Sequence, residues 1–328
     1  MITYLKQPRL NHPQLLVAWP GMGYVASKTV SYLVDTLEAE RFAFINPDNY
    51  FSPTSVVVDK SLASIPPLPS SNFYFWKNPY SGSDLILFVG DAQPAPALQI
   101  QMAREVISLA VKMGVFRTWT FAAAPAAIQH KDKPRIWAVS NTMVLKDYLI
   151  EHGVELLEMG HISGLNGLLL GIEVPAKIPG ICLLGEIPYY TVNLENPRAS
   201  LVILHLLEIL LSIRIDTLPI EDDIKNFDRE ITRIGKRAQE TMETFIHPDE
   251  GILGLGGFMG DDEEDKDEDE GESKPLPAPA RKRIEDLFRQ VRIDPLQAGM
   301  LKEELDKWGV YHLYEDRFLD LFREGGAG

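Results

Sequence analysis

The first long apolar run is Leu15–Trp19, with no polar residue inside it. An unbroken run predicts a strand buried on both faces, because a half-exposed strand alternates. Pro20-Gly21-Met22-Gly23 ends it. Apolar positions 25, 30, 33, 34 and 37 then share one helical face over Val25–Leu37. The pattern recurs along the chain. Phe42–Asn46, Asp84–Gly90, Phe116–Ala123, Val154–Met159 and Gly180–Leu184 read as strands. Ala97–Met113, Ser140–His152 with Ser140 as N-cap, and Pro197–Ile213 read as helices. Ser55–Asp59 and Asn72–Trp76 are β-rich and flank a Pro/Ser loop, so they are expected to pair as a hairpin. Short strands alternating with longer helices predict an α/β fold: a three-layer α/β/α sandwich around a mainly parallel sheet.

The pattern changes near Pro219. Residues 1–218 read as the α/β/α core domain, and 219–250 as a charged amphipathic helix centred on Ile220–Ile246. Residues 251–278 are glycine-rich, then acidic, then proline-rich, which predicts a flexible linker. Residues 279–328 read as a small C-terminal helical segment, with helices over Ala280–Val291, Leu296–Trp308 and Tyr311–Phe322.

Charge sharpens this division. The net charge is −15, and Asp261–Glu272 holds ten carboxylates against one lysine. The rest of the chain is only mildly acidic. That balance argues against nucleic-acid binding, which needs a basic face. The acidic run reads as a solvated linker or as a docking site for a basic partner. The single cysteine, Cys182, lies in an apolar run and reads as a buried thiol in a reducing compartment. The N-terminus is polar, and Leu201–Leu211 is interrupted by His205 and Glu208, so no leader or membrane span is expected. A cytoplasmic protein without membrane contact is predicted.

Candidate chemistry follows from the fold. Open parallel sheets bind ligands beyond the carboxyl ends of their strands. The residues expected there are Gly21 and Gly23, then Asp91 and Gln93. His161, Ser163, Gly164, Asn166 and Gly167 follow, and then Glu186 and Tyr189. Gly21-Met22-Gly23-Tyr24-Val25-Ala26 matches a dinucleotide-binding turn, although Asn46 stands where a ribose-binding acid belongs. The alternative is a tight strand–helix turn whose glycines serve close packing. Asp91 reads as a general base or sugar ligand, or as an Asx turn or helix cap. Glu186 is the second catalytic candidate, or solvates a turn. The stretch His161–Gly171 (HISGLNGLLLG) packs small residues and then leucines, which suits an anion-binding loop or close packing under one. No G-x-S-x-G elbow, zinc spacing or P-loop is present, and no metal or cofactor is expected.

PGMGYVASKTVSYL, LFVGDAQP, HISGLNGLLLG and IPGICLLGEIPYY, in that order, resemble the proteasome-assembly-chaperone two-type family over roughly residues 10–215. The resemblance implies a sandwich similar to purine nucleoside phosphorylases and peptidyl hydrolases. It also implies proteins that act by pairing with each other and holding proteasome subunits, with homo-oligomeric relatives. The chain ends in Gly-Gly-Ala-Gly and lacks the hydrophobic–Tyr tail that some members insert between proteasome subunits. Two classes of function remain. One is a non-enzymatic interaction or assembly protein with a protein partner or self-association. The other is a phosphorylase- or hydrolase-like enzyme, or a binder of nucleoside, phosphate or carboxylate in the strand-end crevice.

Overall fold

The computed structural model describes residues 2–80, 82–246, 278–293, 298–308, 314, 317 and 318. The chain divides into two compact units, Met1–Gly254 and Leu255–Gly328. The first begins with β1 (Ile2–Tyr4), β2 (Gln14–Ala18), α1 (Val25–Thr36) and β3 (Glu40–Ile45). Two short strands, β4 (Val57–Asp59) and β5 (Leu62–Ser64), precede β6 (Ser71–Trp76) and β7 (Leu85–Gly90). Then come α2 (Pro96–Lys112), β8 (Arg117–Ala126), β9 (Ile136–Ser140), α3 (Met143–Glu151) and β10 (Glu155–Leu156). The unit continues with α4 (Gly164–Ala176), β11 (Gly180–Pro188), α5 (Pro197–Leu211) and α6 (Leu218–Ile246). The second unit contains α7 (Ala278–Ile293) and α8 (Ala298–Lys307).

Nine strands form one sheet in the order β1-β3-β6-β7-β2-β8-β11-β9-β10. The four central strands, β7-β2-β8-β11, are mutually parallel. The flanking pairings β1–β3, β3–β6, β6–β7 and β11–β9 are antiparallel, and β9–β10 is parallel. Every residue of β2 is buried, as its unbroken apolar run requires. Successive side chains of β2, and that of Trp19 just beyond it, enter two different cores. Leu16 and Ala18 meet the layer of α1, α3 and α5; Leu15, Val17 and Trp19 meet that of α2 and α4. This is the expected α/β/α sandwich. In the second unit Ile284, Leu287, Phe288, Val291, Leu301 and Leu305 form a separate small core.

Several local expectations change. Ser55–Asp59 does not pair with Asn72–Trp76. Lys60 and Ser61 both adopt positive φ (47° and 65°), the turn a two-residue hairpin requires, so Val57–Asp59 folds onto Leu62–Ser64. Asn72–Trp76 lies instead between β3 and β7. Ser140 is not a helix cap. It ends β9, and Thr142 Oγ1 caps α3 by accepting the Leu145 N–H at 3.3 Å. The strand expected at Val154–Met159 shrinks to Glu155–Leu156 and lies at the sheet edge, where one neighbour supports little ladder. β11 runs on through Pro188, so Glu186 lies inside the strand rather than beyond it. The acidic run Asp261–Glu272 and most of Tyr311–Phe322 fall outside the described residues. No helix among the described residues is long and apolar enough to cross a membrane.

Candidate functional site

His161–Gly171 leads directly into α4. Ser163 is the N-cap residue and Gly164, with φ of 75°, the first helical one. The Ser163 hydroxyl does not cap the helix. Gln93, from the β7–α2 loop, does so instead. Its Oε1 accepts the Leu165 N–H at 3.1 Å and its Nε2 donates to the Pro20 carbonyl at 2.7 Å. A Cβ at Gly164 would stand 3.0 Å from Gln93 Nε2, so both space and backbone angle call for glycine there.

One residue past that capped N–H, Asn166 is buried and clasps the backbone at the end of β2. Its Oδ1 accepts the Trp19 N–H at 3.0 Å, and its Nδ2 donates to the Trp19 carbonyl at 2.9 Å. This reciprocal pair imitates the bonds of a neighbouring strand, so the side chain extends the sheet by one residue. Gly167 has the opposite need: a Cβ there would overlap the Ile162 carbonyl, so the helix leaves its loop without room for a side chain.

Gly21, Gln93, His161, Ser163, Gly164 and Asn166 line one cleft of about 130 Å³ at the carboxyl ends of the central strands. Met22, Ala122, Ala123, Ile162 and Leu184 supply an apolar wall. Six of the expected site residues therefore converge. The cleft is small, since pockets for small-molecule ligands hold roughly 300–1,000 Å³. The polar groups deepest in it, Gln93 and Asn166, already bond to backbone. His161 and Ser163 stand exposed at the rim.

The other expected residues lie apart from this cleft. Gly23 is buried with φ of 62°; its N–H donates to Val192 O at 2.7 Å and its carbonyl accepts from Asn196 at 2.9 Å. The glycine turn is thus packed by the chain's own 188–196 segment, which corrects its reading as an open pyrophosphate cradle. Asp91 caps no helix. Its Oδ2 accepts the Ser70 N–H at 2.8 Å while its own N–H donates to Ser70 O at 2.9 Å, tying β7 to the start of β6. It borders a separate depression with Asp35 and Tyr74. Tyr189 is half exposed on the turn after β11.

Glu186 is buried and saturated. The Arg135 N–H reaches Oε2 at 3.1 Å, and Arg135 Nε and the Trp137 indole reach Oε1 at 3.0 and 3.1 Å. Burial alone would raise this carboxyl, but the Arg135 and Trp137 donors outweigh it and hold the group below the ordinary glutamate range. A carboxylate held ionised by three hydrogen bonds from the protein is a poor proton carrier. Arg135 and Trp137 are not among the residues expected at the site; only the pairing of β9 with β11, which composition does not reveal, brings them there.

Glu173 is a second buried carboxyl that sequence reasoning passes over. It projects from α4 onto β8 and β11, where a Cβ at Gly180 would overlap its Oε2. Burial pushes its pKa up to about 8, with Thr118 as the polar neighbour that opposes the shift. A wider depression of about 630 Å³ lies at the amino ends of β2 and β7, bordered by Arg9, Lys77 and Asp84. Asp84 is committed there to the N–H groups of Asn11 (2.6 Å) and Asn78 (2.9 Å).

Comparison with known proteins agrees with this architecture. An uncharacterized protein of Methanocaldococcus jannaschii, MJ1210, is 25% identical over 236 residues, covering 71% of this chain and 87% of that one. The crystal structure of Pyrococcus furiosus PbaB, described as an archaeal proteasome activator, superposes with a TM-score of 0.63 at 24% identity, covering 72% and 98% of the two chains. A PAC2 family protein from Streptomyces avermitilis gives 0.56 at 20% identity, covering 67% and 95%. The PAC2 family profile matches residues 15–234, a span that opens in β2, carries the α4 clasp and closes within α6, and the chain belongs to that family.

Proposed function

We propose that this chain acts by protein contact, as an assembly-chaperone-like member of its family that also self-associates, and that it does not turn over a small molecule. The observation that carries the reading is the commitment of the polar groups at the strand ends. Asn166 and Gln93 hold the Trp19–Gly21 segment and α4 together, Glu186 is saturated by Arg135 and Trp137, and Asp91 is tied to Ser70. Among the described residues that line the cleft, His161 is the one titratable side chain, without the acid–base pair that general acid–base catalysis would need. The description of PbaB as a proteasome activator supports a role in contact with other proteins. The buried free thiol of Cys182 is in keeping with the cytoplasm, and the net charge of −15 disfavours nucleic acid as partner.

Affinity purification at native expression tests the reading, with recovery of a second protein in stable proportion expected. Recovery of this chain alone would count against it. A thermal-shift screen with phosphate, nucleosides and nucleotides tests the enzyme-like alternative. A ligand at a hundred times its dissociation constant adds about 2.7 kcal/mol. No shift is expected, and a clear shift abolished by Ser163→Trp at the cleft rim would overturn the proposal.

A further inference from the structure

The depression at the amino ends of β2 and β7 lies at the opposite end of the strands from the cleft. Residues 9–11, ahead of β2, and 77–80, 82 and 84, between β6 and β7, frame it. Asp84 pins the two loops together. Besides its carboxylate bonds to Asn11 and Asn78, its N–H donates to the Asn11 carbonyl at 3.1 Å and its carbonyl accepts the Gln14 N–H at 2.9 Å. Asn78 Oδ1 accepts the Tyr80 N–H at 2.9 Å, which holds the turn that carries Tyr80. A frame fixed in this way costs a binding partner little ordering.

The frame presents positive charge and apolar surface. Arg9 and Lys77 stand exposed on its rim, and the Arg214 guanidinium lies 6.0 Å from the Tyr80 ring centroid. Among the described residues, none of these three cations is ion-paired with a carboxylate. Lys6, by contrast, is taken by Glu40. The acid among the lining residues, Asp84, is buried, with both oxygens filled by backbone N–H groups. Leu10, Pro79 and Tyr80 supply the apolar surface, Tyr80 being 57% exposed. Arginine and tyrosine are residue types in which interface binding energy concentrates. In a chain of net charge −15, a concave surface of this sign stands apart, and it draws anions toward it. At about 630 Å³, against about 130 Å³ for the cleft, it has room for more than one side chain.

We propose that this depression receives an acidic segment of a partner protein, with carboxylates on Arg9 and Lys77 and an apolar side chain of the same segment against Tyr80. The inference rests on the protein-contact reading above and gives it a surface and a partner chemistry. A nucleic acid fits less well, because its phosphates run on past the depression over a chain whose net charge of −15 repels them.

Fluorescence anisotropy tests it, with a labelled peptide of repeated Glu-Glu-Leu units as probe and one of Gln-Gln-Leu units as its neutral counterpart. Both are titrated into the full chain and into a full-length chain whose Asp261–Glu272 run is replaced by Gly/Ser, so that no carboxylate-rich stretch of the chain itself competes. The acidic probe is expected to bind the Gly/Ser chain, more weakly at high salt, and the neutral one to stay free. In that background Arg9→Glu with Lys77→Glu should weaken binding about tenfold or more, and Tyr80→Ala about fivefold. Lys131→Glu with Arg229→Glu makes the same charge change on a separate surface beside α6 and should leave binding within about twofold. All these residues are exposed, and circular dichroism melts check that each variant stays folded. No binding of the acidic probe, equal binding of the neutral one, or equal losses in the two charge-reversed variants would overturn the inference. So would a single-stranded oligonucleotide that binds more tightly than the peptide and is released by the Arg9/Lys77 variant, since the surface would then suit nucleic acid. In affinity purification, a partner recovered undiminished by the Arg9/Lys77 variant would overturn the assignment of this surface and keep the protein-contact reading. Recovery of no partner at all would overturn both.

Discussion

Asn166 stands in the cleft with both ends of its amide given to one backbone residue, Trp19. A ligand-binding asparagine and a structural one differ in what their removal costs. Asn166→Ala strands a buried N–H and a buried carbonyl, each worth about 1–3 kcal/mol when left unpaired. The expected loss is about 2–5 kcal/mol, measured as the urea midpoint at unchanged slope. Ser163→Ala, at the exposed rim, should stay within about 0.5 kcal/mol of wild type. Near-equal stability of the two variants would return Asn166 to the status of a free recognition group. Gln93→Ala lies between them. It removes the cap of α4, a change that costs about 0.5–2 kcal/mol, and a melting curve identical to wild type would show that the cap contributes nothing.

At the scale of the element, α4 docks on β8 and β11 through Leu170, while Leu165 and Leu169 enter the core shared with β2 and α2 and Glu173 is buried beneath the helix. A carboxyl whose folded pKa is about 8 keeps its proton well above the ordinary glutamate value of 4.5. Below the unfolded pKa both states are protonated and stability does not depend on this group. Between the two values the unfolded chain releases a proton that the folded chain retains, so stability falls by about 1.4 kcal/mol per pH unit. Above the folded pKa the slope ends. Glu173→Gln is neutral throughout, so its stability should lose this slope and exceed that of wild type at alkaline pH. Parallel pH profiles for the two proteins would refute the buried-acid assignment. The elements that sequence made legible are those buried on both faces: Leu15–Trp19, Asp84–Gly90 and Gly180–Leu184 read directly as central strands. The edges were not legible, because β10 holds two residues and β1 three, too short for a pattern. Position likewise brought Gln93 and Asn166 into the candidate site, whereas their roles depend on partners 72 and 147 residues away, which no local pattern encodes.

For the whole molecule, the decisive question is where the family fold ends. Composition shifts at Pro219, yet Ile220 and Ile224, just beyond it, are buried, Ile220 in the core shared with α1 and α5. Lys28 of α1 lies 2.7 Å from both Asp223 and Glu195; burial opposes its charge, but these two carboxylates outweigh that and raise its pKa. Arg198 of α5 reaches Asp228 at 2.7 Å and the His130 carbonyl at 2.9 Å. The first turns of α6 are therefore fastened to the sandwich by packing and by part-buried charge. Burial of an isoleucine is worth about 1.5–3 kcal/mol, so loss of two removes about 3–6 kcal/mol from a total that is typically 5–15. A chain ending at Ile246 should melt within a few degrees of the full-length protein's main transition, because its core is complete without the second unit's separate one. A chain ending at Asp216 should melt far lower or aggregate on expression. Ile220→Ala in the full chain, expected to cost about 2–5 kcal/mol as a buried cavity, separates loss of packing from loss of length. If the Asp216 chain and the Ile246 chain melt together, α6 is an appendage, and the domain closes where the composition changes rather than where the packing does.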